Sequence, residues 1–290
     1  TAYHPGTLVD SWTEPDGRRG FRYVIDRPSR GWATIVSGRL VETRSERDGL
    51  PDVVMAHDPD HTHTVEAFAA ALHDAMAHFA GAYGPPPFDE FRMVEQSLHF
   101  DGMGSRSGMV FACEVLGWKS DLRASGGEDL HAMAAHLMGM TWWGDQIIPA
   151  NTHGAKIVHA GLPYWSAQLY LHQRRDAAID RRLRRQKLLE AFRGRSTLVD
   201  VESPYAQEFK DSTMLRAKGA GQMLHLATLI GGPDRLEAIL ASFLERWRYR
   251  PAPYPEGSDF IAHLREAVPV EHHALLSDVF EHVTTWDLAV

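Results

Sequence analysis

His136-Leu-Met-Gly-Met-Thr-Trp-Trp-Gly-Asp-Gln-Ile-Ile-Pro-Ala-Asn-Thr-His-Gly-Ala155 is the stretch whose reading decides the fold. It closes a helix expected over Asp129–Trp143 and leads into a second helix over Ala155–Gln173, kinked near Pro163 because proline lacks the N–H that the helix needs. At about 100° per residue, His131 and His136 point to different faces of the first helix, whereas Met133, His136, Leu137 and Met140 share one.

Upstream, β-rich segments occur at Leu8–Trp12, Phe21–Ile25, Ala33–Thr43 and Val53–Ala56, separated by Gly, Pro and Asp punctuation. From Thr64 the period becomes helical, with Val65, Phe68, Ala69, Leu72, Met76 and Phe79 on one stripe. Thr64 is the expected N-cap, and Gly81 with Pro85-Pro86-Pro87 ends the run. A strand is expected over Phe91–Phe100. From Asp176 to Val290 the pattern is mostly helical, best marked at Asp234–Trp247 and Ser258–Ala267.

At 290 residues, with 44% hydrophobic and 23% charged residues, the chain has enough apolar surface for a substantial core. No apolar run approaches a membrane span, and Thr1-Ala-Tyr-His-Pro5 has no basic flank with an apolar stretch behind it, so no secretion signal is expected. Cys113 is the single cysteine, which rules out an internal disulfide and fits a cytoplasmic location. A net charge of −8 argues against nucleic acid as a partner. The run Arg174-Arg175 through Lys187 reads as the wet face of a helix, with Ile179, Leu183 and Leu188 facing inward. No Gly-rich phosphate loop and no Gly-x-Ser-x-Gly elbow is present.

The stretch 136–155 resembles the zinc-helix region of the M1 aminopeptidase family, most closely the peptidase domains fused to bacterial ABC-transporter permeases. The resemblance rests on Trp142-Trp143-Gly144, Pro149-Ala150-Asn151 and Gly154-Ala155. It extends to Trp12–Tyr23, Phe91-Arg-Met-Val-Glu95, Lys218-Gly219-Ala220 and Asp278–Asp287, nearly the whole chain. It implies an α+β fold: a thermolysin-like zincin domain preceded by a few β-strands and followed by a helical C-terminal portion. The implied layout is a β-rich segment over 1–60, a thermolysin-like domain over 61–190 and a helical subdomain over 191–290. Most of the family's amino-terminal β-domain and any long C-terminal domain are missing from this pattern, so a lone catalytic module is expected. The related transporter-fused domains are membrane-tethered.

In a gluzincin, H-E-x-x-H puts two imidazoles one turn apart beside a glutamate base, with a third ligand from the next helix. Here His136 keeps the first ligand position, Leu137 stands at the base and Met140 at the second ligand. The third-ligand position falls on Ala160 counted from Leu162-Pro-Tyr-Trp-Ser-Ala167, or on His159 counted from Met140. The family's oxyanion tyrosine, two residues before a Lys-Gly pair, corresponds to Arg216. The substrate-amine segment corresponds to Asp101–Met109, followed by Glu114 at an acidic position.

These replacements imply a protein without zinc aminopeptidase activity and with no cofactor expected, its cleft lined by Leu137, Met140, Trp143 and His153 to take a small molecule or peptide-like ligand. His99, Asp101, Glu114, His136, His159 and Arg216 are the candidates for metal-free acid–base chemistry, because imidazoles shuttle protons near neutrality and a guanidinium holds a carboxylate. Against this, the apolar side chains read as filling for the space of zinc and its water. Two alternatives stand beside the ligand-binding reading. One is a noncatalytic pseudopeptidase with a protein partner. The other is a metal site rebuilt from His136 with His159 or His153, with interleaved methionines that would favour copper. Cys113 reads as a small buried hydrophobe, and His61-Thr-His63 after Asp58-Pro-Asp60 as a solvated helix cap.

Overall fold

The computed structural model describes residues 1–28, 34–99, 102–106, 108–119, 121, 128–174, 178, 180–182, 185, 189 and 213–282. The chain divides into two compact units, Thr1–Gln146 and Ile147–Val290.

The first unit is built on a five-stranded sheet in the order β5-β6-β7-β9-β8. Its strands are β5 (Val41–Ser45), β6 (Asp52–His57), β7 (Glu90–Gln96), β8 (Met103–Arg106) and β9 (Met109–Cys113). β6, β7 and β9 run parallel, while β5 and β8 are antiparallel edges. Smaller two-stranded sheets pair β1 (Ala2–Tyr3) with β4 (Val36–Ser37), and β2 (Thr7–Thr13) with β3 (Arg19–Val24). The expected strand over Ala33–Thr43 is thus replaced by two short strands in different sheets, and Gly38 lies in the connection between them.

Alternation along the strands gives the sheet two buried faces. On one, Ala56, Val94, Met109 and Phe111 pack with Tyr3 and Val36. The other takes α1 (Val65–Tyr83), the crossover from β6 to β7, whose stripe of Phe68, Leu72, Met76 and Phe79 is fully buried. Two buried faces explain why Val53–Ala56 of β6 and Met109–Cys113 of β9 read as continuous apolar runs rather than as alternating ones. Thr64 precedes α1 as expected, but its hydroxyl donates to the Trp118 carbonyl at 3.3 Å instead of capping the helix. Gly84 at φ 91 terminates the helix, a turn later than Gly81, where the chain enters a conformation open to glycine.

After β9 come a short helix α2 (Glu114–Gly117) and α3 (Glu128–Gly144), which packs on α1 and against the edge strand β8. The aromatic end of α3 anchors it. Trp142 meets Phe79 and Phe88 at ring centroids of 5.6 and 5.9 Å, and Trp143 meets Tyr83 at 5.5 Å.

The second unit begins with a π turn, Ile157–Gly161, that runs into α4 (Leu162–Arg174). Pro163 has no N–H to return to the π turn before it, so the regular helical ladder is interrupted just ahead of it, where the kink was expected. Further helices among the described residues are α5 (Thr213–Leu229), α6 (Pro233–Trp247), α7 (Gly257–Ala267) and α8 (His273–Phe280). α7 opens on a capping box between Glu256 and Asp259. Two glycine contacts account for motifs seen in the sequence. A side chain on Gly219 would meet the buried Trp165 indole at 2.8 Å, and one on Gly257 would meet the Gly154 backbone at 2.7 Å.

Candidate functional site

The helix α3 presents a half-buried stripe of Met133, His136 and Met140, while Leu137 and Met138 are fully buried. Its neighbour β8 carries Ser105, buried to 4% exposure. This face of α3 and the edge strand are where the resemblance placed the cleft. Trp143, expected to line it, is fully buried against Tyr83.

The remaining candidates are distributed over both units. His99 lies exposed after β7, its backbone N–H donating to Ser97 Oγ at 3.3 Å. Asp101 lies outside the described residues. In the second unit His153 is exposed, and half-buried His159 sits in the π turn with Nδ1 2.9 Å from the Ala155 carbonyl, neighbouring half-buried Ala160. Arg216 falls within α5, but its side chain is outside what is described. His136 therefore belongs to one unit and His153 and His159 to the other. Cys113 is buried, as a small hydrophobe would be.

The sequence resemblance implies a zinc ion on α3, and the donor set there tests that implication. His136 offers an imidazole, Leu137 a buried hydrocarbon and Met140 a thioether. One nitrogen and one soft sulfur, with no carboxylate base on the same helical turn, do not fit a zinc–water hydrolytic centre.

A denser cluster of polar groups lies elsewhere in the first unit, at the carboxyl ends of the parallel strands. His61, in the loop from β6 to α1, holds Nδ1 2.5 Å from Glu95 Oε1 at the end of β7. The second oxygen of Glu95 accepts the Asp58 backbone N–H at 2.8 Å. Glu114, the first residue of α2 directly after β9, brings Oε2 to 3.9 Å from His61 Nε2 and 3.0 Å from Lys119 Nζ. The side chains of Glu95, Glu114 and His61 are only 6%, 16% and 19% exposed. One ligand atom from each of the three lies within 4.8 Å of the others. So His61 is not a solvated cap, and Glu114, expected at a substrate amine, faces Lys119 and His61. Glu95 was legible in the sequence only as part of a strand. A carboxylate directly after the apolar pair Met93-Val94 was the available signal.

The sequence matches no family model and no curated protein. Its structure does match solved ones. Aminopeptidase A from Legionella pneumophila, in complex with aspartic acid, superposes with a TM-score of 0.74 at 15% identity over 98% of this chain and 33% of that one. A point mutant of the M1 zinc metallopeptidase from Deinococcus radiodurans gives 0.71 at 17% identity, covering 99% of this chain and 63% of the other. Yeast LTA4 hydrolase gives 0.76 at 12% identity, over 98% and 45%. This chain accordingly has an M1 peptidase-like α+β fold, and it spans between a third and about two thirds of the length of these neighbours. Among the described residues no helix is long and apolar enough to cross a membrane.

Proposed function

We propose that this protein is a ligand-binding relative in fold of the M1 peptidases that does not perform zinc aminopeptidase chemistry, and that the region of α3 and β8 takes a small molecule or peptide-like ligand. The observation that carries this reading is Leu137, an aliphatic side chain at 0% exposure where the helix of a zinc peptidase needs its general base. The half-buried stripe of Met133, His136 and Met140 supports a surface that still contacts a ligand, with thioethers that adapt to irregular shapes.

The structural neighbours point to the ligand class. The Legionella enzyme holds aspartic acid, the Deinococcus enzyme holds a Tyr-Ser-Ala peptide, and a two-domain M1 zinc metallopeptidase holds L-arginine or L-tryptophan. An amino acid or short peptide is therefore the first ligand to test here. Any chemistry on it would be metal-free proton transfer, with His136 on α3 the leading group and His99, Asp101, Glu114, His159 and Arg216 the further candidates.

The test is a calorimetric titration of the full chain with aspartate, arginine, tryptophan and Tyr-Ser-Ala. Saturable binding that weakens in Met140→Ala and His136→Ala supports the proposal. Absence of binding across the panel, or binding indifferent to both substitutions, removes α3 from the ligand site.

A further inference from the structure

The cluster of His61, Glu95 and Glu114 is carried by the β6–α1 loop, β7 and α2 and not by the helix α3, and of its members only Glu114 is among the candidates named above. We infer that these three residues form a divalent transition-metal site at the carboxyl ends of β6, β7 and β9.

Four observations combine. The donors come from three separate elements, the β6–α1 loop, the end of β7 and the start of α2, yet their ligand atoms lie within 4.8 Å of one another. Parallel strands place their carboxyl ends side by side, and the connections leaving them converge there, which is where open α/β sheets hold ligands. The donor set of one imidazole and two carboxylates is the mixed nitrogen and oxygen set that suits zinc, manganese and iron. Finally, Glu95 is held as a ligating carboxylate is held in metal proteins: the Asp58 N–H takes Oε2 at 2.8 Å, leaving Oε1 turned toward His61.

Charge explains why a cation belongs there. Two largely buried carboxylates face a common space, and each needs a hydrogen-bond donor or a cation to offset lost hydration. Glu95 finds the imidazole. Glu114 finds Lys119 at 3.0 Å, whose side chain is 46% exposed. Lys119 thus stands where a metal's charge would act, and a divalent ion bound by His61, Glu95 and Glu114 displaces it.

The experiment uses the full chain, stripped with chelator and titrated with Zn2+ against a chromophoric competitor. Wild type takes up one equivalent that depends on the cluster. Uptake by His61→Ala or Glu114→Gln weakens at least about 100-fold, because even outer-shell losses cost up to that much. His136→Ala binds as wild type does. Lys119→Met, at an exposed position that leaves folding intact, binds up to about fivefold tighter, the most that a half-exposed competing ion pair is worth. Co2+ absorption of wild type and Lys119→Met reports the ligand set if a cluster variant fails to fold. No uptake by folded wild type overturns the inference, as does equal affinity in Glu114→Gln. Uptake lost in His136→Ala alone overturns it as well, and returns the metal to α3 against the proposed function. Absence of ligand binding at α3 leaves the cluster untouched.

Discussion

His61 Nδ1 and Glu95 Oε1 are 2.5 Å apart across 34 residues of sequence, so the loop entering α1 is fastened to the end of β7. Glu95 also accepts the Asp58 N–H, and its side chain is 6% exposed. Removing the carboxylate leaves two donors without their acceptor in a dry place. Glu95→Ala is expected to lower stability by about 2–4 kcal/mol. Glu95→Gln loses less, because an amide oxygen still accepts from Asp58. Urea unfolding measures both, and a Glu95→Ala protein as stable as wild type contradicts the assignment.

Leu137 is expected to refuse the residue that a zinc peptidase carries. Its position is fully buried in the first unit, so Leu137→Glu buries a carboxylate without a partner and costs about 3 kcal/mol or more. The thermal midpoint reports the loss. A Leu137→Glu protein of undiminished stability would mean that this side chain already looks into an open, wet cleft.

Gly219 and Gly221 form a paired test within α5. A methyl on Gly219 meets the Trp165 indole at 2.8 Å, whereas nothing lies within 4 Å of one on Gly221. Gly219→Ala is expected to destabilise by about 1–3 kcal/mol through overpacking. Gly221→Ala is expected to be neutral or to stabilise by up to about 1 kcal/mol through helix propensity. Equal responses in chemical denaturation would exclude the close approach of Trp165.

Burial holds the His73 imidazole below its ordinary value, reinforced by Arg47 and opposed by the Ser45 carbonyl, Asp52 and Asp74. Its Nε2–H donates to Ser45 at 3.1 Å. Because the folded value is depressed, the unfolded chain binds the extra proton first as pH falls. The stability contributed by the neutral ring is therefore present above the unfolded value of about 6.5 and is lost as pH drops below it. Unfolding midpoints should fall more steeply from pH 8 to pH 5 for wild type than for His73→Gln, and parallel profiles would contradict this.

Much of this fold is legible in the sequence. Helical periodicity at Val65–Phe79, the helical patterns at Asp234–Trp247 and Ser258–Ala267, and the tryptophans at 142 and 143 lead to elements that the structure contains within a few residues. Those signals are local, carried by one face of one element. The short strands β8 and β9 are harder to read. Met109–Cys113 is a run of only five apolar residues, and β8 gains meaning from pairing with it. The His61, Glu95 and Glu114 cluster is harder still. Its members are 34 and 19 residues apart and converge only because three parallel strands end side by side. On α3 the chemistry of Leu137 and Met140 is visible in their identity alone, whereas the burial of Leu137 needed the structure.

The central claim is that α3 has no zinc peptidase chemistry. The direct measurement is hydrolysis of a panel of aminoacyl p-nitroanilides by the full chain with added Zn2+, for wild type and His136→Ala side by side. The account predicts no release of p-nitroaniline that depends on His136. Zinc-dependent turnover by wild type that disappears in His136→Ala would contradict it.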